Sequence, residues 1–189
     1  MAAPKRRATY QDLKEVPDIL VAELIDGELF TSPRPAAPHA LTTARLVSDL
    51  GPPFDRPPGD PDGPGGWCIL VEPELHFGQD VLVPDLAAWR RSRMPAVQNV
   101  AAFTLAPDWV CEVISPSTGR LDRARKMQVY AREGIPHLWI IDPILRTLET
   151  YRLEGGHWVV AGAHGGMDVV RVEPFEAIEL RCQRWWLEG

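Results

Sequence analysis

Two acidic residues interrupt the most apolar segments of this chain. Asp85 stands within residues 81–89 and Glu112 within residues 108–114, both otherwise rich in Val, Leu, Ile, Ala and Trp. Short apolar runs of this kind read as strands buried in a sheet. An ionised carboxylate is costly to bury there unless it is paired or bound to a metal. Two such strands lying side by side would let both acids share one cation. The fold is thus constrained to a sheet built around a charged point.

The rest of the pattern supplies the surroundings. Thr9 is placed to cap a short helix over residues 10–15. Residues 21–25 read as a strand, Asp26-Gly27 as a tight hairpin turn, and residues 28–31 as the return strand. A proline-rich loop, residues 32–38, precedes an amphipathic helix over residues 39–50, with Leu41, Ala44, Leu46, Val47 and Leu50 on one face. Residues 51–66 are rich in Pro, Gly and Asp and read as an exposed loop. Residues 67–77, 81–89 and 108–114 are expected as strands, with a turn at residues 78–80. Ser115-Pro116-Ser117-Thr118 breaks the last of these and offers a helix cap. The helix then runs over about residues 118–133 to Gly134 and Pro136. Residues 137–141 form a further strand, residues 147–153 and 157–161 a hairpin, and residues 169–172 and 178–180 short strands. The sum is a mixed sheet flanked by helices with extra β-hairpins, α/β or α+β in class, expected as one domain over residues 1–189.

Composition narrows the function. A net charge of −6 argues against nonspecific coating of nucleic acid. It leaves room for a metal site, where the ion reverses the local sign. Basic residues gather at residues 90–93 and 120–126, where a solvated surface is the plain alternative to a binding patch. Cys68, Cys111 and Cys182 form no Cys-x-x-Cys pair and read as small buried thiols rather than zinc ligands or disulfides. The seven tryptophans could stack on bases, but most fall in apolar strands, where packing is the better reading. Trp185-Trp186 would cover a core edge or a dimer contact. No apolar run is long enough to span a membrane. Residues 1–10 are polar and basic, unlike an export signal, so the cytoplasm is the expected compartment. The 19 prolines, with abundant Ala and Arg, point to a GC-rich bacterial source.

The chemistry-bearing residues form a small set. Asp122, Lys126 and Tyr130 recur at four-residue spacing, which places them on one helix face. Taken alone, Asp122 and Lys126 could be an exposed ion pair of little energetic consequence. Together with Asp85 and Glu112 they offer more. Hard carboxylate oxygens suit Mg²⁺, which keeps some of its waters. The ion polarises a phosphate and eases formation of hydroxide, and a nearby ammonium stabilises developing negative charge. One Asp, one Glu and one Lys are thus a minimal phosphodiesterase kit. No histidine stands at nucleophile spacing from Ser115 or Ser117, and Gly63–Gly66 lacks the Lys-Ser/Thr ending of a phosphate loop.

Pro84-Asp85, Glu112-Val113-Ile114-Ser115 and Lys126 look like the site of PD-(D/E)xK nucleases. A longer ordered series is more specific. It comprises residues 23–29, His39 after its proline-rich loop, Val83-Pro84-Asp85-Leu86 and residues 107–118. Asp122, Lys126, Tyr130 and Gly134-Ile135 follow, and Trp139-Ile140-Ile141-Asp142-Pro143 closes it. This series, over roughly residues 10–155, resembles the Uma2 family of endonuclease-like proteins, also described as a domain of unknown function.

The resemblance implies a restriction-endonuclease-like fold and a Mg²⁺- or Mn²⁺-dependent endonuclease acting on DNA. Asp85 and Glu112 would be metal ligands, with the backbone carbonyl of Val113 as another. The simple motif has lysine where this chain has the apolar Ile114, so the resemblance implies that Lys126 on the following helix takes that role. Glu23 would be an outer or second-metal ligand, against the alternative of a surface acid on a hairpin. His39 would contact the scissile phosphate or shuttle a proton, against that of a polar residue at a helix start. Tyr130 would support Lys126 by packing or hydrogen bonding, and Asp122 would orient it. A homodimer would serve cutting of both strands. A module that keeps the fold and binds nucleic acid without turnover, or a hydrolase of RNA or a smaller phosphodiester, are the other readings.

Overall fold

The computed structural model describes residues 6–116 and 118–187. The chain opens with α1 (Tyr10–Lys14), capped by Thr9 and Asp12 in a reciprocal capping box. Strands β1 (Leu20–Ile25) and β2 (Glu28–Pro33) pair as a hairpin. Its turn residues Asp26 and Gly27 have φ of 53° and 79°, the two positive values that a tight hairpin turn requires. Helix α2 (Ala37–Phe54) follows, then β3 (Trp67–Val71), β4 (Leu75–Phe77), β5 (Asp80–Leu82), β6 (Leu86–Arg90) and β7 (Trp109–Val113). One continuous helical segment then runs through α3 (Gly119–Leu121), a π-helical turn (Asp122–Lys126) and α4 (Met127–Arg132). Strands β8 (His137–Asp142), β9 (Thr147–Glu154), β10 (His157–Gly165), β11 (Val169–Val170) and β12 (Leu180–Arg181) and a 3₁₀ turn (Cys182–Trp185) complete the order.

The strands make a six-stranded sheet, β10-β9-β8-β7-β6-β3, and a four-stranded sheet, β2-β1-β5-β4, with β11 and β12 paired separately. Among the paired strands of the described residues, β7 and β8 alone run parallel; their crossover is the α3–α4 segment. The mixed class, the flanking helices and the extra hairpins are as the sequence implied.

Strand parity divides the core. Trp109, Cys111 and Val113 of β7 face α2 and the C-terminal segment, in a cluster with Leu46, Leu50, Phe54, Trp139 and Trp185. At its centre Phe175 contacts Phe54, Trp67, Trp109 and Trp139 at centroid distances of 4.7 to 5.6 Å. Burying a phenylalanine this fully contributes about 1.5–3 kcal/mol. The alternate residues, Val110 and Ile114, face the other way, with Ile25, Leu82, Val129 and Tyr130. Glu112 shares that second parity and so points between the two sheets towards the helix.

Several sequence expectations need correction. Residues 81–89 are not one strand: β5 belongs to the four-stranded sheet and β6 to the six-stranded one, and the chain crosses between sheets at Val83-Pro84-Asp85. Pro84 has no N–H for a ladder, and the Val83 N–H turns to Glu23 Oε1 at 2.8 Å. Asp85 therefore sits at a crossing, not inside a strand. Residues 67–77 divide likewise into β3 and β4, with Glu72 at φ 46° between them. The helix expected over residues 39–50 spans Ala37–Phe54, passing through Pro52 and Pro53, because Phe54 is drawn into the core at 2% exposure. The remainder of the expected loop is tied down: Arg56 pairs with Asp60 at 2.7 Å, and Arg91 with Asp55 at 2.9 Å. The two short C-terminal strands pair at Val169–Val170 and Leu180–Arg181. Ser117 lies outside the described residues. No helix among them is long and apolar enough to cross a membrane.

Candidate active site

Five elements deliver one polar cluster. Glu23 comes from the middle of β1, Asp85 from the crossing before β6, and Glu112 from β7. Lys126 ends the π-helical turn, and Asp122 begins it. His39 comes from the first turn of α2. All six line one cavity of about 260 Å³.

Lys126 lies at the centre. Its Nζ stands 2.8 and 2.9 Å from the two Glu112 carboxylate oxygens, 3.0 Å from Glu23 Oε1 and 3.5 Å from Asp122 Oδ1. It also reaches the Val83 carbonyl at 3.4 Å. Tyr130 Oη donates to Glu112 Oε1 at 2.5 Å. Tyr130 and Lys126 thus share Glu112 as a partner. Asp85 accepts from the Val113 N–H at 2.7 Å, and its Oδ1 lies 2.9 Å from His39 Nε2. Through Val113, Asp85 is locked to the strand that carries Glu112.

The π-helical turn explains why the lysine can stand on this helix. A π turn inserts one residue per turn and swings the side chains that follow, and such turns often occur at functional sites. Asp122, Lys126 and Tyr130 all come to the buried face here, at 4%, 2% and 0% exposure. An exposed pair of little consequence is therefore excluded for Asp122 and Lys126. Glu23, 6% exposed, is likewise no surface acid of a hairpin.

Four carboxylates face one ammonium, and the titration of the groups reflects it. Burial pushes Glu112 well above the usual carboxylate range; Lys126 opposes this, and Asp122, Asp85 and Glu23 add to it. Burial also raises Asp122, again against Lys126. Burial alone would lower Lys126, but Glu112 and Glu23 overcome it and hold the ammonium well above its ordinary range. The directions share one origin: burial raises Glu112 and Asp122 against the pull of Lys126, while the acids around Lys126 hold its ammonium against the same burial. Tyr130 is raised too, by burial and then by Glu112.

Arg34 and Glu72 also line the cavity and were not singled out from the sequence. Their only sequence signal is position, Arg34 in the proline-rich loop before His39 and Glu72 before Pro73. The three arginines at residues 90–93 each engage a partner within the fold. Arg90 stacks on Trp67 at 4.4 Å, Arg91 holds Asp55, and Arg93 pairs with Asp108 at 2.8 Å. Arg123 and Arg125 pair with Glu149 and with Asp26 and Glu28. Cys68, Cys111 and Cys182 are buried and unbridged. Six tryptophans are buried and Trp158 packs at the core margin, as expected of packing residues.

Comparison with known proteins follows the same line. No curated protein matches this sequence. The chain is similar to a solved structure described as a "putative nuclease belonging to DUF820" from Anabaena variabilis ATCC 29413. The TM-score is 0.71 at 22% identity, covering 94% of this chain and 97% of that one. At that identity the likeness establishes a shared fold. The sequence profile of the Uma2 family, described as "Putative restriction endonuclease", matches residues 7–183, and the chain belongs to that family.

Proposed function

We propose that this protein is a divalent-metal-dependent endonuclease that hydrolyses phosphodiester bonds of DNA. The observation that carries the reading is the convergence of Asp85, Glu112 and Lys126, from a sheet crossing, a strand and a π-helical turn, on one cavity. Among the described residues no three His, Cys, Asp or Glu side chains form a protein cage for a metal. Asp85 and Glu112 are the hard oxygen donors that suit Mg²⁺ or Mn²⁺, which needs only one or two carboxylates and keeps its waters for substrate. The surplus of buried carboxylate supports the same fit, since a bound cation would relieve it.

Asp85 and Glu112 would hold the ion with the Val113 carbonyl, and Glu23 would be an outer or second-metal ligand. When bound, it would supply Lewis acidity at the phosphate and a lowered pKa for a coordinated water. Lys126 orients the attacking water and stabilises charge on the transition state, and Asp122 and Tyr130 hold its surroundings in register. His39, fixed by Asp85, contacts the phosphate or moves a proton. A second copy of the chain would supply the cut in the opposite strand. A non-catalytic nucleic-acid-binding module finds support in the ion pairs that engage Lys126; it predicts metal-independent binding without products.

The test is titration of Mg²⁺ and Mn²⁺ with supercoiled plasmid, linear duplex and single-stranded RNA, beside Asp85→Ala. Metal-dependent cutting of the DNA substrates is expected, with a loss of about a hundredfold or more in the variant and an unchanged far-ultraviolet spectrum. Undiminished cleavage by Asp85→Ala would overturn the assignment.

A further inference from the structure

A polyanion must enter an acidic cavity whose buried ammonium is already engaged by Glu23, Glu112 and Asp122. The other permanently cationic side chain lining it is Arg34, at the rim, with 57% of its side chain exposed. Arg34 Nη2 donates to the Asp18 carbonyl at 2.8 Å, and Nη1 lies 4.0 Å from Glu72 Oε2. A guanidinium carries five N–H donors, so one firm bond and one long ion pair anchor the group and leave donors for a ligand.

Beside it stands the start of α2. Ala36 is its N-cap and gives no side-chain cap. The first helical bond runs from the Ala40 N–H to the Ala36 carbonyl at 3.0 Å, and Pro38 has no N–H. The N–H groups of Ala37 and His39 therefore have no helical acceptor, and the helix dipole adds positive potential at this end. Ala36 and His39 both line the cavity. His39 is 8% exposed, and its Nδ1 is buried with no hydrogen-bond partner among the described residues. An orphaned polar atom in that position calls for a group from outside the fold.

We propose that Arg34 and the first turn of α2 form a phosphate subsite that seats a backbone phosphate next to the one cleaved. This rests on the nuclease reading. Arg34 meets two non-bridging oxygens with its planar fork, while the α2 N–H groups face the same anion. Arg34 is a positioning residue: it sets where the backbone lies relative to Asp85 and Glu112 and takes no part in bond making. Glu72 keeps it at the rim, away from the buried acids.

The experiment is fluorescence anisotropy of a labelled DNA duplex across a salt series, with Ca²⁺ replacing Mg²⁺. The chains are wild type, Arg34→Ala, Arg34→Lys and Ala36→Asp, and a thermal midpoint is taken for each. Arg34→Ala is expected to weaken binding about tenfold and to lower the salt slope by about one; Arg34→Lys recovers the slope but only part of the affinity. Ala36→Asp is the sharper probe. Its carboxylate caps α2 and raises the midpoint, yet occupies the same N–H groups with negative charge and weakens binding. A merely structural role for this turn would not drive stability up and affinity down together. Wild-type affinity and slope in both Arg34→Ala and Ala36→Asp, with the wild type binding and cutting duplex, would overturn the subsite alone. A wild type that neither binds nor cuts any duplex fails at the nuclease reading and removes the subsite with it.

Discussion

Glu112 is where burial, charge and hydrogen bonding compete most directly. Its carboxylate is 3% exposed, held by Lys126 and Tyr130, and crowded by three other acids. Burial outweighs the lysine, so the folded chain binds this proton more tightly than the unfolded chain. A group raised in this way stabilises the fold below its ordinary 4.5, and the contribution is lost as pH rises through the folded value. Asp122 acts in the same sense. Glu149, lowered by its hydrogen bond from Arg123, acts in the opposite sense, but below 4.5. His137, lowered by burial, acts the other way as pH rises towards 6.5, so the decline owed to Glu112 above its ordinary 4.5 is read, without metal, as the difference between the wild type and a variant lacking that carboxylate. Glu112→Gln should flatten that decline, each pKa unit removed being worth about 1.4 kcal/mol. Calorimetry in EDTA from about pH 5 to pH 8 checks it; parallel curves for the two chains would refute the sign. Of these residues the sequence disclosed the burial of Glu112 but not the depth of Asp122 and Lys126. Asp85 and Glu112 stood out because acids are rare in apolar runs, and Lys126 by its helical spacing from Asp122 and Tyr130, whereas Arg34 and Glu72 lie in loops with no periodicity to mark them.

The elements follow local chemistry where that chemistry is decisive. Thr9 and Asp12 cap α1, and Asp26-Gly27 turns the first hairpin, because each signal needs only neighbouring residues. The crossing at Val83-Pro84-Asp85 was not legible. Both flanking segments are buried and apolar, and a string of residues does not say when a strand changes sheets. Nor does helical spacing distinguish a π turn from an α turn, so the depth of Lys126 stayed hidden. The loop after α2 gives a test at this scale. Gly65 has φ 59°, and a Cβ there would meet the Pro57 carbonyl oxygen at 2.1 Å; Gly155 has φ 55° and open space. Gly155→Ala should cost about 1 kcal/mol from backbone conformation alone. Gly65→Ala should cost about 3 kcal/mol or more, because the loop must also move off Pro57. Urea unfolding of both variants separates the terms, and equal losses would show that the loop yields freely.

At the scale of the molecule, two sheets of different size share one interior cluster, and the chain passes between them three times, from β2 to β3, from β3 to β4 and from β5 to β6. Ile25 and Leu82 of the smaller sheet pack with Val110 and Ile140 of the larger, and we read residues 1–189 as one folding unit. Tryptophan fluorescence, with Trp89, Trp109, Trp139 and Trp185 fully buried, should then change in the same transition as the far-ultraviolet spectrum. Two separated transitions would refute the single unit. Lys126 gives this architecture a further property. It grips Glu23 from the smaller sheet and Glu112 from the larger at once. The site is in effect a vernier between two slabs, reading their alignment through a single ammonium. A slip of about 1 Å between them, too small to expose a tryptophan, would lower turnover about a hundredfold. On gentle heating, the nuclease we propose would fall silent while it is still folded.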